Sequence, residues 1–279
     1  MTKRIRVALT GASGQLGRAL QRHSPATWDI SGTSSKEVEL RSWPAVRDWI
    51  ATVRPRLVIH AGAMTDVDGC ESRIEDAYAI NALGTRHVAS AAARTGATLV
   101  YVSTNFVFDG TKAEPYHEFD APNPISVYGA SKLAGELEAG RAECDVYIVR
   151  TAMVYAEEGH NFVNTMRRLM AERDELTVVS DQFGNPTYAG DLAVGIISLI
   201  STYPPGTYHL TNAGAASWFE WAEAVRDIGG FATTVRPIPA SEYQRAATPP
   251  ANGVMTSIAL QGSGVELPEW RDALRRCLT

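Results

Sequence analysis

The chain has 279 residues, with 26 Lys and Arg against 31 Asp and Glu and a formal charge of −5. A composition of 45% hydrophobic and 20% charged residues is that of a globular protein and excludes a disordered one. An acidic balance without a dense basic block excludes nucleic acid as the main partner, and the length allows one large domain or two smaller ones.

Apolar, β-branched runs alternate with helical patterns. Arg4–Leu9 reads as a first strand, Gly14–Arg22 as a helix leaving a glycine loop, and Trp28–Thr33 as a second strand. Ser42 is placed to cap a helix through Val53, with Pro44 in its first turn, where a missing N–H costs little. Leu57–His60 is a third strand, Ser72–Thr95 one long helix ended by Gly96, and Thr98–Ser103 a fourth strand. A loop rich in Pro and Asp leads to a helix over Ser126–Ala139 and a strand over Val146–Arg150. This βαβα rhythm predicts an α/β fold with a doubly wound parallel sheet that binds ligands at the carboxyl ends of its strands.

Beyond residue 150 the rhythm loosens. Asn161–Ala171, Asp191–Ser201 and Ser217–Ile228 look helical, and Leu176–Val179 and Thr207–Leu210 look like short strands. Pro237, Pro239, Pro249, Pro250 and Pro268 suit irregular tail loops. The expected organisation is a dinucleotide-binding domain over 1–150, rejoined by parts of 176–203, and a smaller α+β substrate-binding domain over 151–279.

Three widely spaced cysteines, Cys70, Cys144 and Cys277, match neither a zinc pattern nor a disulfide framework and point to a reducing compartment. The basic start, Lys3, Arg4 and Arg6 before Val7-Ala8-Leu9, imitates a signal peptide, but its apolar stretch is too short. The best apolar run, Ala193 to Ile200, is far below membrane-spanning length. The expectation is a cytoplasmic protein without membrane contact. The six histidines show no ligand spacing and no metal site is expected; His60, ending an apolar strand, reads as a core residue.

Gly11, Ser13, Gly14, Gln15, Leu16 and Gly17 span the turn from the first strand into the first helix. Glycines there let the backbone approach a pyrophosphate, whose charge a helix amino end favours. The second strand ends in Ser34, Ser35 and Lys36, hydroxyls and a cation suited to a 2′-phosphate, so NADP(H) is expected. Glu37 close behind keeps NAD(H) as an alternative.

Tyr128 and Lys132 stand four apart on one helix face, where an ammonium would lower the pKa of a phenol toward the working range. Ser103-Thr104, ending the fourth strand, adds a hydroxyl on the same sheet edge. A proton donor, its tuner and a carbonyl-polarising hydroxyl beside a nicotinamide describe a reductase.

These stretches, with Ala61–Asp68 (AGAMTDVD), Ser103–Gly110 (STNFVFDG), Tyr128–Glu136 (YGASKLAGE), Arg150–Tyr155, Asn161-Phe162-Val163 and Asp181–Thr187 (DQFGNPT), resemble the extended short-chain dehydrogenase/reductases, and more closely the dTDP-4-dehydrorhamnose reductase family. The resemblance implies a Rossmann fold and NADPH-dependent reduction of a nucleotide-activated 4-keto-6-deoxy sugar. It implies Thr104, Tyr128 and Lys132 as catalytic residues, with Leu40, Ala61, Gly62 and Ala63 lining the cofactor. It also implies Thr65, Val67, Asn105, Phe106, Met153, Asn161 and Gln182 as substrate residues, and raises the option of a homodimer.

The sequence departs from that pattern in the sugar pocket. Asn105 and Phe106 stand where the family typically has Asp and Tyr, and Met153 where it has Trp. Gly253-Val254-Met255 stands in place of Ser-x-Leu, and Thr248-Pro249 in place of Arg-Pro. Two alternatives stay beside the sugar reductase: a non-catalytic subunit of the methionine adenosyltransferase regulatory type, and a reductase of another carbonyl compound.

Overall fold

Strands buried on both faces of a parallel sheet are apolar throughout, because neither face meets water. The first of them, β1 (Ile5–Thr10), points Val7 and Leu9 to one side and Ala8 to the other, all fully buried. The computed structural model describes residues 4–279, so Lys3 of the basic start lies outside the described residues. After β1 come α1 (Gln15–His23), β2 (Trp28–Thr33), α2 (Trp43–Val53), β3 (Leu57–His60), α3 (Val67–Ser72), α4 (Ile74–Tyr78), α5 (Gly84–Thr95), β4 (Thr98–Thr104), α6 (Val127–Gly140) and β5 (Val146–Thr151). The second half holds β6 (Val154–Tyr155), α7 (Phe162–Glu172), β7 (Glu175–Val179), β8 (Phe183–Gly184), β9 (Thr187–Tyr188), α8 (Ala189–Thr202), β10 (Gly206–His209) and β11 (Asn212–Ala213). It ends with β12 (Ala216–Ser217), α9 (Trp218–Gly229), β13 (Thr234–Ile238), β14 (Leu267–Glu269) and α10 (Trp270–Leu278).

Six strands form one parallel sheet in the order β10-β5-β4-β3-β1-β2. Helices α1 and α8 cover one face through Leu16, Leu20, Leu192, Ile196 and Leu199, and α2 and α5 cover the other through Val46, Ile50, Val88 and Ala92. Burying such an aliphatic side chain stabilises by about 1.5–3 kcal/mol. The winding reverses between β1 and β3, which opens a crevice at their carboxyl ends. A second core joins α7, α9, α10 and the two-stranded β7–β13 pair around Met166, Trp221, Val225 and Leu274. Among the described residues no helix is long and apolar enough to cross a membrane.

Two expectations fail locally. The long helix expected over Ser72–Thr95 is interrupted: Ser72 ends α3, Arg73 leaves helical geometry (φ −125°, ψ 56°), and a wide π turn over Ala79–Leu83 joins α4 to α5. Asn81 explains the wide turn. Its Nδ2 donates to Met64 O and Ser131 Oγ, its Oδ1 accepts from Met64 N–H, and its backbone carbonyl accepts from the Thr85 hydroxyl at 2.6 Å. The Pro-rich tail is also more ordered than expected. Pro237 lies within β13, which pairs only with β7 and so needs no ladder N–H on its outer side. Helix α10 buries Trp270, Ala273, Leu274 and Cys277 at helical spacing, with Glu269 capping its amino end.

Candidate active site

Gly11 leaves β1 with φ +70°, and a Cβ there would sit 2.7 Å from Gly62 N. A Cβ on Gly17 would meet Gly11 O at 2.2 Å, so only glycines let α1 come down on the loop. Helix α1 has no side-chain cap and no acidic residue in its first turn, which leaves its N–H groups facing the crevice. The Arg18 guanidinium donates to Ser13 O across the same turn. Leu40 packs over Gly62, and the Gln15 amide oxygen accepts from Asn161 Nδ2 at 2.9 Å, joining α1 to the amino end of α7. A backbone cradle closed to any Cβ, under an uncapped helix end, fits the pyrophosphate of a dinucleotide.

At the end of β2 the sequence left Glu37 open, and the structure gives it a partner. Its carboxylate accepts from both the N–H and the hydroxyl of Ser34 at 2.8 Å, and these bonds hold its pKa below the ordinary range. The Ser34 hydroxyl expected to meet a 2′-phosphate therefore also faces an anion. Ser35 and Lys36 follow in the same exposed turn.

Thr104 ends β4 and Tyr128 lies in the first turn of α6, whose amino end is capped by the Ser126 side chain on Gly129 N–H. Both side chains are buried. Burial pushes the Tyr128 phenol up to about 12, while the nearby Thr104 hydroxyl works in the opposite direction. Lys132 is buried one turn further on. Its Nζ donates to Val102 O at 2.7 Å and lies 4.1 Å from the centre of the Tyr101 ring; burial lowers its pKa to about 7 and Glu136 raises it. The expected lowering of the phenol by the ammonium is thus not what this geometry gives. Helical spacing puts both residues on one face, but the long lysine chain turns its charge to the sheet.

Thr151, the register partner of Thr104 on β5, has a buried hydroxyl with no hydrogen-bond partner among the described residues. An orphaned donor beside Thr104 fits a site that takes a polar ligand group.

A family model described as the RmlD substrate binding domain matches residues 5–279. The dTDP-4-dehydrorhamnose reductase of Burkholderia thailandensis (strain E264) is 37% identical, over 98% of this chain and 98% of that protein. The chain belongs to the dTDP-4-dehydrorhamnose reductase family. Another relative, the spore coat polysaccharide biosynthesis protein SpsK of Bacillus subtilis (strain 168), is 39% identical over 100% of this chain and 97% of its own length. The crystal structure of the dTDP-4-dehydrorhamnose reductase of Bacillus anthracis str. Ames in complex with NADP matches with a TM-score of 0.95 at 41% identity, covering 98% of each chain.

The residues that the family resemblance names for substrate gather unevenly. Val67 and Phe106 share an apolar cluster with Tyr128, the Phe106 and Tyr128 rings meeting edge-on at 5.4 Å. Asn105 adjoins Thr104, its Oδ1 accepting from the Thr104 hydroxyl at 3.3 Å. Met153, held at φ +47°, reaches between Ala152, Met255 and the second core, its sulfur against Gly184. Thr65 is exposed and Gln182 half-buried in the turn between β7 and β8. Asp66 and Asp68 do not form an acid pair. Asp66 caps α3 and holds Arg73, whereas Asp68 holds Arg245 and the N–H of Ala247.

Two supports lie beneath the site; sequence reasoning placed His60 in the core and missed the other. His60 is fully bonded: Thr85 gives its proton to Asn81 O, so His60 Nε2–H donates to Thr85 at 3.1 Å, and Thr10 donates to Nδ1 at 2.6 Å. Burial, and secondarily Lys132, lowers its pKa to about 3. The other support is the buried Arg150–Glu136 pair, which braces α6 against β5. The invitation to find both lay in residues already quoted, the Glu136 that ends YGASKLAGE and the Arg150 that opens RTAMVY.

Proposed function

We propose that this chain uses NADPH to reduce the 4-keto group of a dTDP-activated 6-deoxy sugar, as the name of its family states. The observation that carries the reading is a pair of buried hydroxyl residues, Thr104 ending β4 and Tyr128 in the first turn of α6, at the carboxyl end of a sheet that has a glycine cradle under α1. Gly11, Ser13, Gly14, Gln15, Leu16 and Gly17 would hold the pyrophosphate, Leu40, Ala61, Gly62 and Ala63 would line the cofactor, and Ser34, Ser35 and Lys36 would meet the 2′-phosphate. When bound, the nicotinamide supplies the hydride that goes to the keto carbon.

The protein's part is to manage the oxygen. Tyr128 gives its proton to the carbonyl oxygen as negative charge develops there, and Thr104 donates a hydrogen bond to the same atom. A phenol held up at about 12 stays protonated at neutrality, as a donor must. Lys132, one turn further along α6, keeps its ammonium on the Val102 carbonyl beneath the site, and Glu136 on the next turn favours its charged form. Val67, Phe106 and Met153 would give the site apolar walls and Gln182 would offer an amide to the polar part of the substrate, whereas the Asn161 amide is spent on Gln15, Ala156 and Asn164.

The test is NADPH oxidation with dTDP-4-dehydrorhamnose and with analogues carrying other nucleotide bases. The wild type is expected to turn over the dTDP substrate fastest. Tyr128→Phe should still bind NADPH but lose about 10²–10⁴-fold in turnover. A silent wild type, or near-normal turnover in the variant, would refute the reading.

A further inference from the structure

The Thr104 hydroxyl has one proton to place. It accepts from Phe106 N–H at 3.2 Å and sends its own proton to Asn105 Oδ1 over a long 3.3 Å bond. Asn105 is buried, and its Nδ2 donates to Gly253 O at 3.1 Å. That carbonyl belongs to a tail segment, residues 251–256, laid against the catalytic end of the sheet. The segment is fixed independently of Asn105: Asn252 N–H bonds Gly110 O, Gly253 N–H bonds Phe183 O, Met255 N–H bonds Asn185 Oδ1, and Val254 and Thr256 pair with the Tyr116 backbone.

A backbone carbonyl only accepts, so the NH₂ end of Asn105 must face Gly253 and its oxygen must face Thr104. A carboxylate at 105 would set one oxygen against the Gly253 carbonyl and grip the Thr104 proton with a charge-assisted bond about twice as strong as a neutral one. Position 253 is constrained in turn, because a Cβ there would lie 2.4 Å from Asn105 Nδ2. These are two of the positions at which the chain departs from the family pattern, which has Asp at the first and Ser at the second.

We propose that Asn105 and Gly253 are a matched pair in which the tail carbonyl orients the Asn105 amide, and Asn105, as a positioning residue, holds the Thr104 proton loosely enough to be turned to the substrate oxygen. The catalytic consequence rests on the reductase reading above, whereas the pairing does not.

The experiment compares Asn105→Asp, Gly253→Ser and the double variant. Asn105→Asp should lower kcat about tenfold with NADPH affinity within about twofold of wild type. In the double variant the introduced serine hydroxyl donates to the carboxylate, and kcat should recover at least about threefold over Asn105→Asp alone. Asn105→Asp within about twofold of wild type in kcat, or a double variant no faster than Asn105→Asp, overturns the proposal. Should Asn105→Asp not fold, as judged by NADPH binding, Gly253→Ser alone carries the test, with the same kcat loss expected and an unchanged kcat refuting it. Amide hydrogen exchange over 104–108 and 251–256 needs no substrate: faster exchange in Asn105→Asp, slowed again in the double variant, supports the pairing, and unchanged exchange defeats it. A wild type inactive on the dTDP sugar would defeat only the reductase reading and leave the exchange result to stand or fall separately.

Discussion

Replacing Arg150 by Met tests how the site is held up. Arg150 Nε and Nη2 donate to the two oxygens of Glu136 at 2.9 and 2.7 Å, and the two side chains are only 6% and 5% exposed. The Ser103 hydroxyl adds one bond to Glu136 at 2.5 Å. Without Arg150 the buried carboxylate keeps only that hydroxyl and the more distant Lys132 charge. Breaking a buried ion pair on one side costs about 3–5 kcal/mol, because the remaining charge is left uncompensated. At roughly 2–4 °C per kcal/mol for a chain of this size class, Arg150→Met should melt about 6–20 °C below wild type near neutrality. Scanning calorimetry or circular dichroism reads the difference. Glu136→Gln with Arg150→Met removes both charges and should recover at least half of the loss. If Arg150→Met melts within about 2 °C of wild type, or the double variant melts below both single ones, the reasoning about the pair is wrong.

Lys132 predicts a pH signature. Its pKa is lowered to about 7 in the fold, against about 10.4 in an unfolded chain. Between those values the unfolded state binds the extra proton, so the site's contribution to stability rises with pH. Lys132→Met abolishes that slope, and wild type should gain several degrees on the variant between about pH 7 and pH 9.5; a pH-independent difference in melting temperature refutes this. At the end of β2, Glu37→Gln removes the anion bonded to Ser34. It should tighten NADPH about fivefold and leave NADH within about twofold, as read by fluorescence titration; equal effects on the two nucleotides would place Glu37 outside the 2′-phosphate site.

The sheet and the glycine turn were legible because each is written in local pattern. Apolar runs mark the inner parallel strands, glycines follow β1 directly, and Tyr128 and Lys132 share a helix face. What the sequence hid was set by distant partners. The π turn exists because Asn81 spends its amide on Met64 and Ser131, a choice that no helical periodicity records. Helix α10 lay behind Pro268, read as loop, although Trp270, Ala273, Leu274 and Cys277 carry the spacing of a buried face. The direction of the Lys132 ammonium escaped for another reason: a four-carbon stem reaches either the phenol or the Val102 carbonyl, and only the packed interior decides between them. Asn105 and Gly253 could be named separately as departures from a pattern, but a separation of 148 positions along the chain hid that they touch.

The order in which the sheet is assembled bears on how the protein is made. Strand β10 lies beside β5 and α8 covers one face, yet both come from beyond the elements that begin the second core. A nascent chain that has just completed β5 therefore carries an open strand border, with Tyr147 and Val149 still waiting for their cover. Leu260, Val265 and Leu267, near the carboxyl end of the chain, close the same core. The first half cannot finish its interior alone, so a translation product cut short near residue 150 is left with a sticky edge suited to aggregation.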